Sequence, residues 1–354
     1  MNEQRLVRQT TKDGTGPTLD AKVAFLGCPE SYCPVPAEVI PRETHMSWVF
    51  LAGEHVYKLK KPVHFPYLDF STIARREQAC RAELRLNRRL APDVYLSVVP
   101  LTVGAQGMML GGEGVRVDWL VQMKRLDERL MLDRLIIERR VKMSDIDRLV
   151  DVLARFYRTA APTFTAPAVH LAELRRNLDY NRRILLDARF NLPAGLVYRI
   201  DRVQRRFLAR CSGLIVKRLR HRRLVEGHGD LRPEHIWLDD KVRIIDCLEF
   251  NARLRIVDPF DEVAYLGLEC ERLGAAWIGR YLRRRMKHLL RDGPADALFC
   301  FYYCYRAALR ARLSIAHLLE ERPRTPEKWS RLAVDYLVLA DRSAGELNRW
   351  LRTR

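Results

Sequence analysis

Inside a long stretch of helical pattern, one short β interruption stands out: HGDLRPEHIWLDDKVRIID, residues 228–246. Two brief apolar runs flank a polar turn, which is a hairpin signal. If Asp240 and Lys241 make a two-residue turn, His235 lies directly opposite Asp246, with Cβ atoms roughly 5 Å apart. A three-residue loop slips that register by one. Either way both side chains reach the same mouth of the hairpin, and Asp230 enters just before it. A buried carboxylate tying two loops together would explain any one of these residues. Three polar groups converging where the chain is otherwise apolar are better explained as a site.

The rest of the chain is organised around this interruption. SWVFLAGEHVYKLKK (47–61) gives two strands around Ala52-Gly53-Glu54. Ser71 is placed to cap a helix over 72–90, with Ile73, Cys80, Leu84 and Leu90 near helical spacing. VYLSVVPLTV (94–103) and VRVDWLVQM (115–123) read as further strands, separated by the glycine-rich turn GAQGMMLGGEG. From Lys124 onward the pattern is helical and rich in arginine, broken near Pro162–Pro167 and Pro193-Ala194-Gly195. The expected fold is α+β and bilobal. It has a disordered tail over 1–20, a small β-sheet lobe over 21–118, a hinge over 119–124 and a large helical lobe over 125–354.

Composition narrows the function classes. With 354 residues and 48% apolar content, the chain can bury substantial cores, and its longest apolar runs are too short to span a bilayer. The polar N-terminus lacks a secretory signal, so a cytoplasmic protein is expected. Eight cysteines without CxxC spacing give no zinc site, and reduced thiols are expected. The net charge is +19, and only 11 of the 63 basic residues are lysine. No interleaved aromatics or DNA-binding motif accompany the arginines, so nucleic acid is a poor partner and no membrane partner is expected. Anionic small molecules remain attractive ligands, because the guanidinium fork matches phosphate oxygens.

The convergent residues meet the demands of phosphoryl transfer: a positioned hydroxyl, phosphate charge neutralised by a metal, and a stabilised phosphoryl group. Asp230 is placed to take the acceptor's proton, Asp246 to bind magnesium, and Arg232 to reach the moving phosphoryl group. HGDLRPEHIWLDDKVRIIDCLEF resembles the catalytic and metal-binding segments of the aminoglycoside phosphotransferase family. RETHMSWVFLAGEHVYKLKKPV, FSTIARREQACRAELRLNRRLAPDVYL and FYYCYRAALRAR resemble one bacterial branch of it, predicted kinases often fused to a P-loop kinase domain. The chain carries no GxxxxGK[ST]. The resemblance covers about residues 22–320. It implies a protein-kinase-like fold using ATP and magnesium, Asp230 as base, Asp246 on the metal and His228 as a structural loop histidine. DPFDEVAYL resembles the family's later aspartate motif, which braces the catalytic loop, and leaves Asp261 and Glu262 as alternatives for the brace.

On the nucleotide side, Val56, Lys58 and Lys60 share one strand face. Lys58, with the small apolar Val56 two residues earlier, is the expected phosphate lysine, and Lys60 is expected to be solvated. Glu83 is preferred to Glu77 as the ion-pair partner of Lys58, and Gln122 and Met123 are the expected adenine contacts. In place of a glycine-rich loop the chain offers RETHMS. There Thr44 and Ser47 either hold phosphate or form an ordinary turn.

His235 departs from the asparagine usual in such loops. Imidazole suits manganese better than magnesium. His235 is therefore read as a manganese ligand, or as a hydrogen-bond donor steadying Asp230 or Asp246. Glu249 is either a compensating metal carboxylate or a loop salt bridge. Arg306 and Arg310, one helical turn apart, line the acceptor pocket and favour an anionic acceptor, or else are solvated surface residues. Two readings follow. One is an ATP-dependent small-molecule kinase; the other is a catalytically weak nucleotide-binding module regulating a partner protein.

Overall fold

The computed structural model describes residues 16–65, 67–319 and 325–353. The chain forms two units. One comprises the chain up to Arg129 with Arg243–Leu254, and the other comprises Leu130–Val242 with Arg255–Arg354. Most of the tail expected over 1–20 lies outside the described residues, but Leu19 already begins a helix.

The first unit is built on a six-stranded antiparallel sheet. Its strands are β1 (Val39–Glu43), β2 (Ser47–Ala52), β3 (His55–Lys60), β6 (Tyr95–Gly104), β7 (Gly107–Leu110) and β8 (Val115–Lys124), in the order β1-β2-β3-β8-β6-β7. A small ribbon, β4 (His64–Phe65) with β5 (Leu68–Asp69), stands apart. The 107–110 segment, expected as part of a turn, pairs with β6 as an edge strand. The expected hinge residues 119–124 lie inside β8. They cannot act as a loose connector, because their backbone pairs with β3 and β6 on either side.

Alternation along β3 decides what each face of the sheet carries. Tyr57 and Leu59 join Leu26, Tyr32, Phe50 and Leu120 in an apolar cluster. Leu26 ends α1 (Leu19–Leu26), so this short helix packs on that face. Val56, Lys58 and Lys60 point the other way, and Lys58 and Lys60 reach Glu83 of α2 (Ile73–Asn87). Helix α2 buries Arg76, Ala79, Cys80, Glu83, Leu86 and Asn87, a stripe at three- and four-residue spacing. Thr72, not Ser71, caps it, its hydroxyl accepting from Arg75 N at 3.3 Å. The Ser71 hydroxyl instead donates to Asp69 at 2.6 Å, which removes it from the cap.

The second unit is mainly helical. Its helices are α3 (Leu132–Ile137), α4 (Met143–Thr159), α5 (Pro167–Leu185), α6 (Ala194–Arg220), α7 (Pro259–Arg272), α8 (Ala276–Leu289), α9 (Asp296–Ala316) and α10 (Pro326–Arg352). Residues from α5, α6, α7, α9 and α10 share one large apolar core, with Phe207 stacked on Phe301 at 4.5 Å. Strands β9 (Val225–Glu226) and β12 (Ile256–Val257) pair and frame the loop that follows β9. Three residues, 239–241, separate β10 (Ile236–Leu238) from β11 (Val242–Ile244), which is the longer of the two loops considered from sequence. The boundary between the units falls within β11. Among the described residues no helix is long and apolar enough to cross a membrane.

Thr72→Ala removes the Thr72 side-chain cap of α2 and should cost about 1 kcal/mol. Chemical denaturation checks this, and a loss no greater than that of an exposed-surface control would reject the cap.

Candidate active site

In the first unit the buried Glu83 carboxylate takes two lysines. Lys58 Nζ donates to Oε1 at 2.9 Å and Lys60 Nζ to Oε2 at 2.6 Å. Glu77, the alternative partner, is on the outer face of α2 and meets Arg81 instead. Lys58 also donates to Asp246 Oδ1 at 2.9 Å. Burial works against the charge on Lys58, yet Asp246, Glu83 and Glu249 hold its pKa well above the ordinary value. Burial likewise opposes ionisation of Glu83, and Lys58 and Lys60 together pull its pKa below normal.

Lys60 is a correction: expected in solvent, it is 1% exposed. Strand parity puts it on the same face as Lys58, and α2 covers that face. Its other partner is Glu249, so this carboxylate forms the salt bridge rather than standing ready for a metal. Burial nevertheless raises the Glu249 pKa.

Asp246 has a left-handed backbone, φ +61°, which costs energy in a residue other than glycine. Its neighbours hold it there. Asp246 N donates to the Tyr95 hydroxyl at 3.1 Å, Cys247 N donates to Asn87 Oδ1 at 2.9 Å, and Arg243 pairs with Asp93. The Asp246 side chain keeps 46% exposure, far more than Lys58, Lys60, Glu83 or Glu249.

Val56 and Met123 are cross-strand partners on the face that carries Lys58. Gln122 is a second correction. Parity turns its side chain to the opposite face, where Oε1 accepts from Ser97 Oγ at 2.8 Å and Nε2 donates to Tyr57 OH at 3.1 Å. Its side chain is thereby committed on the face away from Lys58. Thr44 and Ser47 form the ordinary turn. Thr44 Oγ1 accepts from Ser47 N at 3.0 Å and donates to Ser47 O at 2.9 Å, and Ser47 is 2% exposed. Their hydroxyls are therefore no phosphate cradle.

The second unit holds the Asp230 loop. Asp230 Oδ1 accepts from the Tyr265 hydroxyl at 2.9 Å, and Oδ2 lies 3.1 Å from Arg232 Nε. The latter contact is an ion pair without hydrogen-bond angles, since Nε is buried and makes no hydrogen bond. Arg232 also meets Glu234 Oε1 at 2.9 Å. Burial opposes the charge on Asp230, but Arg232, Arg310 and the Tyr265 hydroxyl keep its carboxyl below the ordinary value.

His235 takes the second of its two expected roles, a hydrogen-bond donor to the Asp230 segment. Nδ1 lies 2.9 Å from Asp230 O and Nε2 lies 3.2 Å from Arg232 Nη2. A guanidinium only donates, so Nε2 must accept and Nδ1 must carry the proton to the carbonyl. That tautomer directs the Nε2 lone pair at a cation, and leaves His235 as a brace for the Asp230 loop rather than a metal ligand.

Below the loop, four polar residues of the DPFDEVAYL segment occupy one face of α7 at offsets of 0, 3, 4 and 7. Asp258 caps the helix, accepting from Phe260 N, and takes Arg218. Asp261 binds Arg306 through two bonds, 2.8 and 2.6 Å long. Glu262 accepts from the backbone N–H groups of His228 and Gly229 and from the Tyr157 hydroxyl. Glu262 is thus the brace and Asp261 is not. Gly227 makes this possible, because a Cβ there would collide with the Glu262 carboxylate. Asp230 N donates to His228 Nδ1 at 3.3 Å, so the buried His228 supports the loop from inside.

Tyr265 was not singled out from sequence. Its seven-residue offset from Asp258 on the same helix face is the signal that could have found it.

Arg306 and Arg310 are the third correction, since both are committed to carboxylates of the helical unit and not to solvent. Arg306 is committed to Asp261. Arg310 Nε donates to Glu269 Oε1 at 2.8 Å and to the Tyr336 hydroxyl at 3.3 Å. With both charges neutralised inside the helical core, the argument for an anionic acceptor falls.

The chain is 30% identical over 312 residues to uncharacterized proteins of Mycobacterium tuberculosis (Rv2004c, strain H37Rv) and Mycobacterium bovis (Mb2027c). The match covers 84% of this chain and 58% of those relatives, so the chain spans little more than half their length. No family model matches. Three solved structures are similar. A choline/ethanolamine kinase family protein from Mesorhizobium loti has TM-score 0.52 at 14% identity, covering 93% of this chain and 98% of that one. A thermostable mutant of aminoglycoside phosphotransferase APH(4)-Ia, in complex with AMP-PNP and hygromycin B, has TM-score 0.54 at 12% identity, covering 91% and 98%. The GDP complex of aminoglycoside 2'-phosphotransferase-IIIa has TM-score 0.50 at 14% identity, covering 87% and 93%.

Lys60→Met should destabilise the protein by about 3–5 kcal/mol, because it strips a cation from two buried carboxylates. Arg42→Ala, at the exposed pair with Glu128, should cost less than about 1 kcal/mol. Equal urea midpoints for the two variants would contradict this.

The resemblance read from the catalytic hairpin and the strand lysines therefore extends to the whole architecture: this chain has the protein-kinase-like fold of the aminoglycoside phosphotransferases and the choline/ethanolamine kinases.

Proposed function

We propose that the protein is an ATP-dependent phosphotransferase acting on a hydroxyl of a small molecule. The observation that carries this reading is Asp230. It is a half-buried carboxylate kept ionised by Arg232, with one oxygen fixed by Tyr265 and its loop held from below by Glu262. Such a group suits a base that must accept a proton from an oriented hydroxyl. A carboxylate offers about four lone-pair sites, so the contacts to Tyr265 and Arg232 leave room for the acceptor.

Lys58 is the phosphate lysine in this reading, positioned by Glu83, with Val56 and Met123 beside it on the adenine face. Asp246 would hold magnesium. Among the described residues no three His, Cys, Asp or Glu side chains form a metal cage. One open carboxylate fits an ion that magnesium chemistry completes with phosphates and water. The bound metal would neutralise phosphate charge, and Lys58 would exchange its Asp246 contact for phosphate oxygen. Arg232, already engaged by Asp230, Glu234 and His235, acts first by keeping the base charged. The binding-module reading drew on His235, and the bonds that ring makes to the Asp230 loop favour the enzyme instead.

Purified protein should turn over ATP with magnesium against some member of a panel of hydroxylated metabolites. Asp230→Asn should lower kcat by ~10²–10⁴-fold with nucleotide binding retained. Asp246→Ala should abolish the metal-dependent part of nucleotide stabilisation. Turnover by Asp230→Asn within a few-fold of wild type would remove Asp230 as base.

The depressed pKa of Asp230 sets the pH dependence. Its charged form persists as pH falls until below the ordinary carboxyl value, so activity is lost only there. The profile of kcat/KM should show no acid limb from Asp230 between about pH 5 and 8. An acid limb in that window that disappears in Asp230→Asn would contradict the assignment.

A further inference from the structure

Two hollows flank α6 on the helical unit, both lined by arginine, and they differ in charge balance. One, of about 430 Å³, is lined by Asp179, Arg182, Arg183, Leu186 and Arg205. Its cations are engaged: Arg205 pairs with Asp179 and Asp201, Arg182 pairs with Asp201, and Arg183 stacks on Tyr180. The other, of about 490 Å³, lies between α6 and α10. Arg199, Arg202 and Arg206 rise from α6, and Arg352 with Asp341 from α10. Asp341 is the single carboxylate and is taken by Arg199, at 3.0 and 3.1 Å. Arg206 finds only the neutral amide oxygen of Asn348, at 3.2 Å. Arg202 and Arg352 make no ion pair or hydrogen bond among the described residues. Three exposed guanidinium charges thus face one hollow without counter-charge.

The floor of this hollow points the same way. It is made by Val203, Ala344 and Gly345. Gly345 sits inside a 27-residue helix, where glycine is a poor helix former. A Cβ built there meets no atom within 4 Å, so packing does not require glycine. What glycine preserves is open space beneath the arginines.

We infer that the α6–α10 hollow binds a compact polyanion of the polyphosphate class, independently of the nucleotide site. Its volume lies within the usual range for small-molecule sites, about 300–1,000 Å³. Guanidinium forks pair with phosphate oxygens in bidentate fashion. None of its lining residues is aromatic, which disfavours single-stranded nucleic acid, where bases need stacking platforms. The two 27-residue helices that carry the arginines provide a rigid frame.

The test measures tripolyphosphate binding by calorimetry and thermal shift, on the whole chain, with a non-hydrolysable ATP analogue at saturation. Tripolyphosphate should still bind and raise Tm. The double variant Arg202→Ala/Arg352→Ala should weaken binding at least 10-fold. Arg182→Ala/Arg183→Ala, which removes the same charge from the other hollow, should leave binding within two-fold of wild type. Gly345→Leu keeps every charge but fills the floor, and should also weaken binding at least 10-fold. Competition with the nucleotide analogue, equal losses in the two double variants, or no binding by wild type would each overturn the inference. So would preferential binding of a single-stranded oligonucleotide of matched charge.

Discussion

The Glu83 carboxylate is the constraint on which the first unit depends. It sits in the buried stripe of α2, where an unpaired charge would be very costly, and β3 answers with two lysines on the same face. Because Lys60 holds one oxygen, Lys58 can hold the other and still reach Asp246. Lys60 also draws in Glu249, three residues beyond Asp246. The segment carrying Asp246 is thereby held at both ends, through Arg243–Asp93 and Lys60–Glu249, with an exposed carboxylate and a left-handed backbone between them. In this arrangement one charge network both stabilises the segment and leaves the Asp246 carboxylate exposed.

The helical unit solves a related problem with fewer charges. Its loop from Gly227 to His235 lacks the continuous ladder of a long strand, and buried backbone N–H groups need acceptors. Glu262 supplies them for His228 and Gly229, and His228 supplies one for Asp230. Through Asp258, Asp261, Glu262 and Tyr265, one face of α7 caps its own helix, locks Arg306, braces the loop and fixes Asp230. A point change on this face would disturb Asp230 even where the altered residue does not touch it.

His235 shows how much residue type alone leaves open. An imidazole in place of the usual asparagine reads either as a metal ligand or as a hydrogen-bond donor to Asp230 or Asp246. Its two nitrogens join a backbone acceptor to a guanidinium donor, which fixes both the tautomer and the Asp230 loop. The arginines of α9 carry the same lesson, because a charged pair one turn apart can serve a buried network as readily as a ligand pocket.

Local periodicity and spacing determined a good deal by themselves. The strands around Gly53, the helix bearing Glu83, the β interruption carrying Asp230 and the bilobal α+β plan follow from alternation, helical spacing and turn chemistry within short windows. Strand parity also put Lys58 beside Val56. Parity could say that Lys60 shares that face, but not that a helix covers it, because coverage depends on residues distant in sequence. Burial of Lys60, the commitment of Arg306 and Arg310 to Asp261 and Glu269, and the choice of Glu262 over Asp261 were decided only in three dimensions. In each case the deciding quantity was the nearest opposite charge or unpaired backbone donor, and packing alone determines which distant residue supplies it.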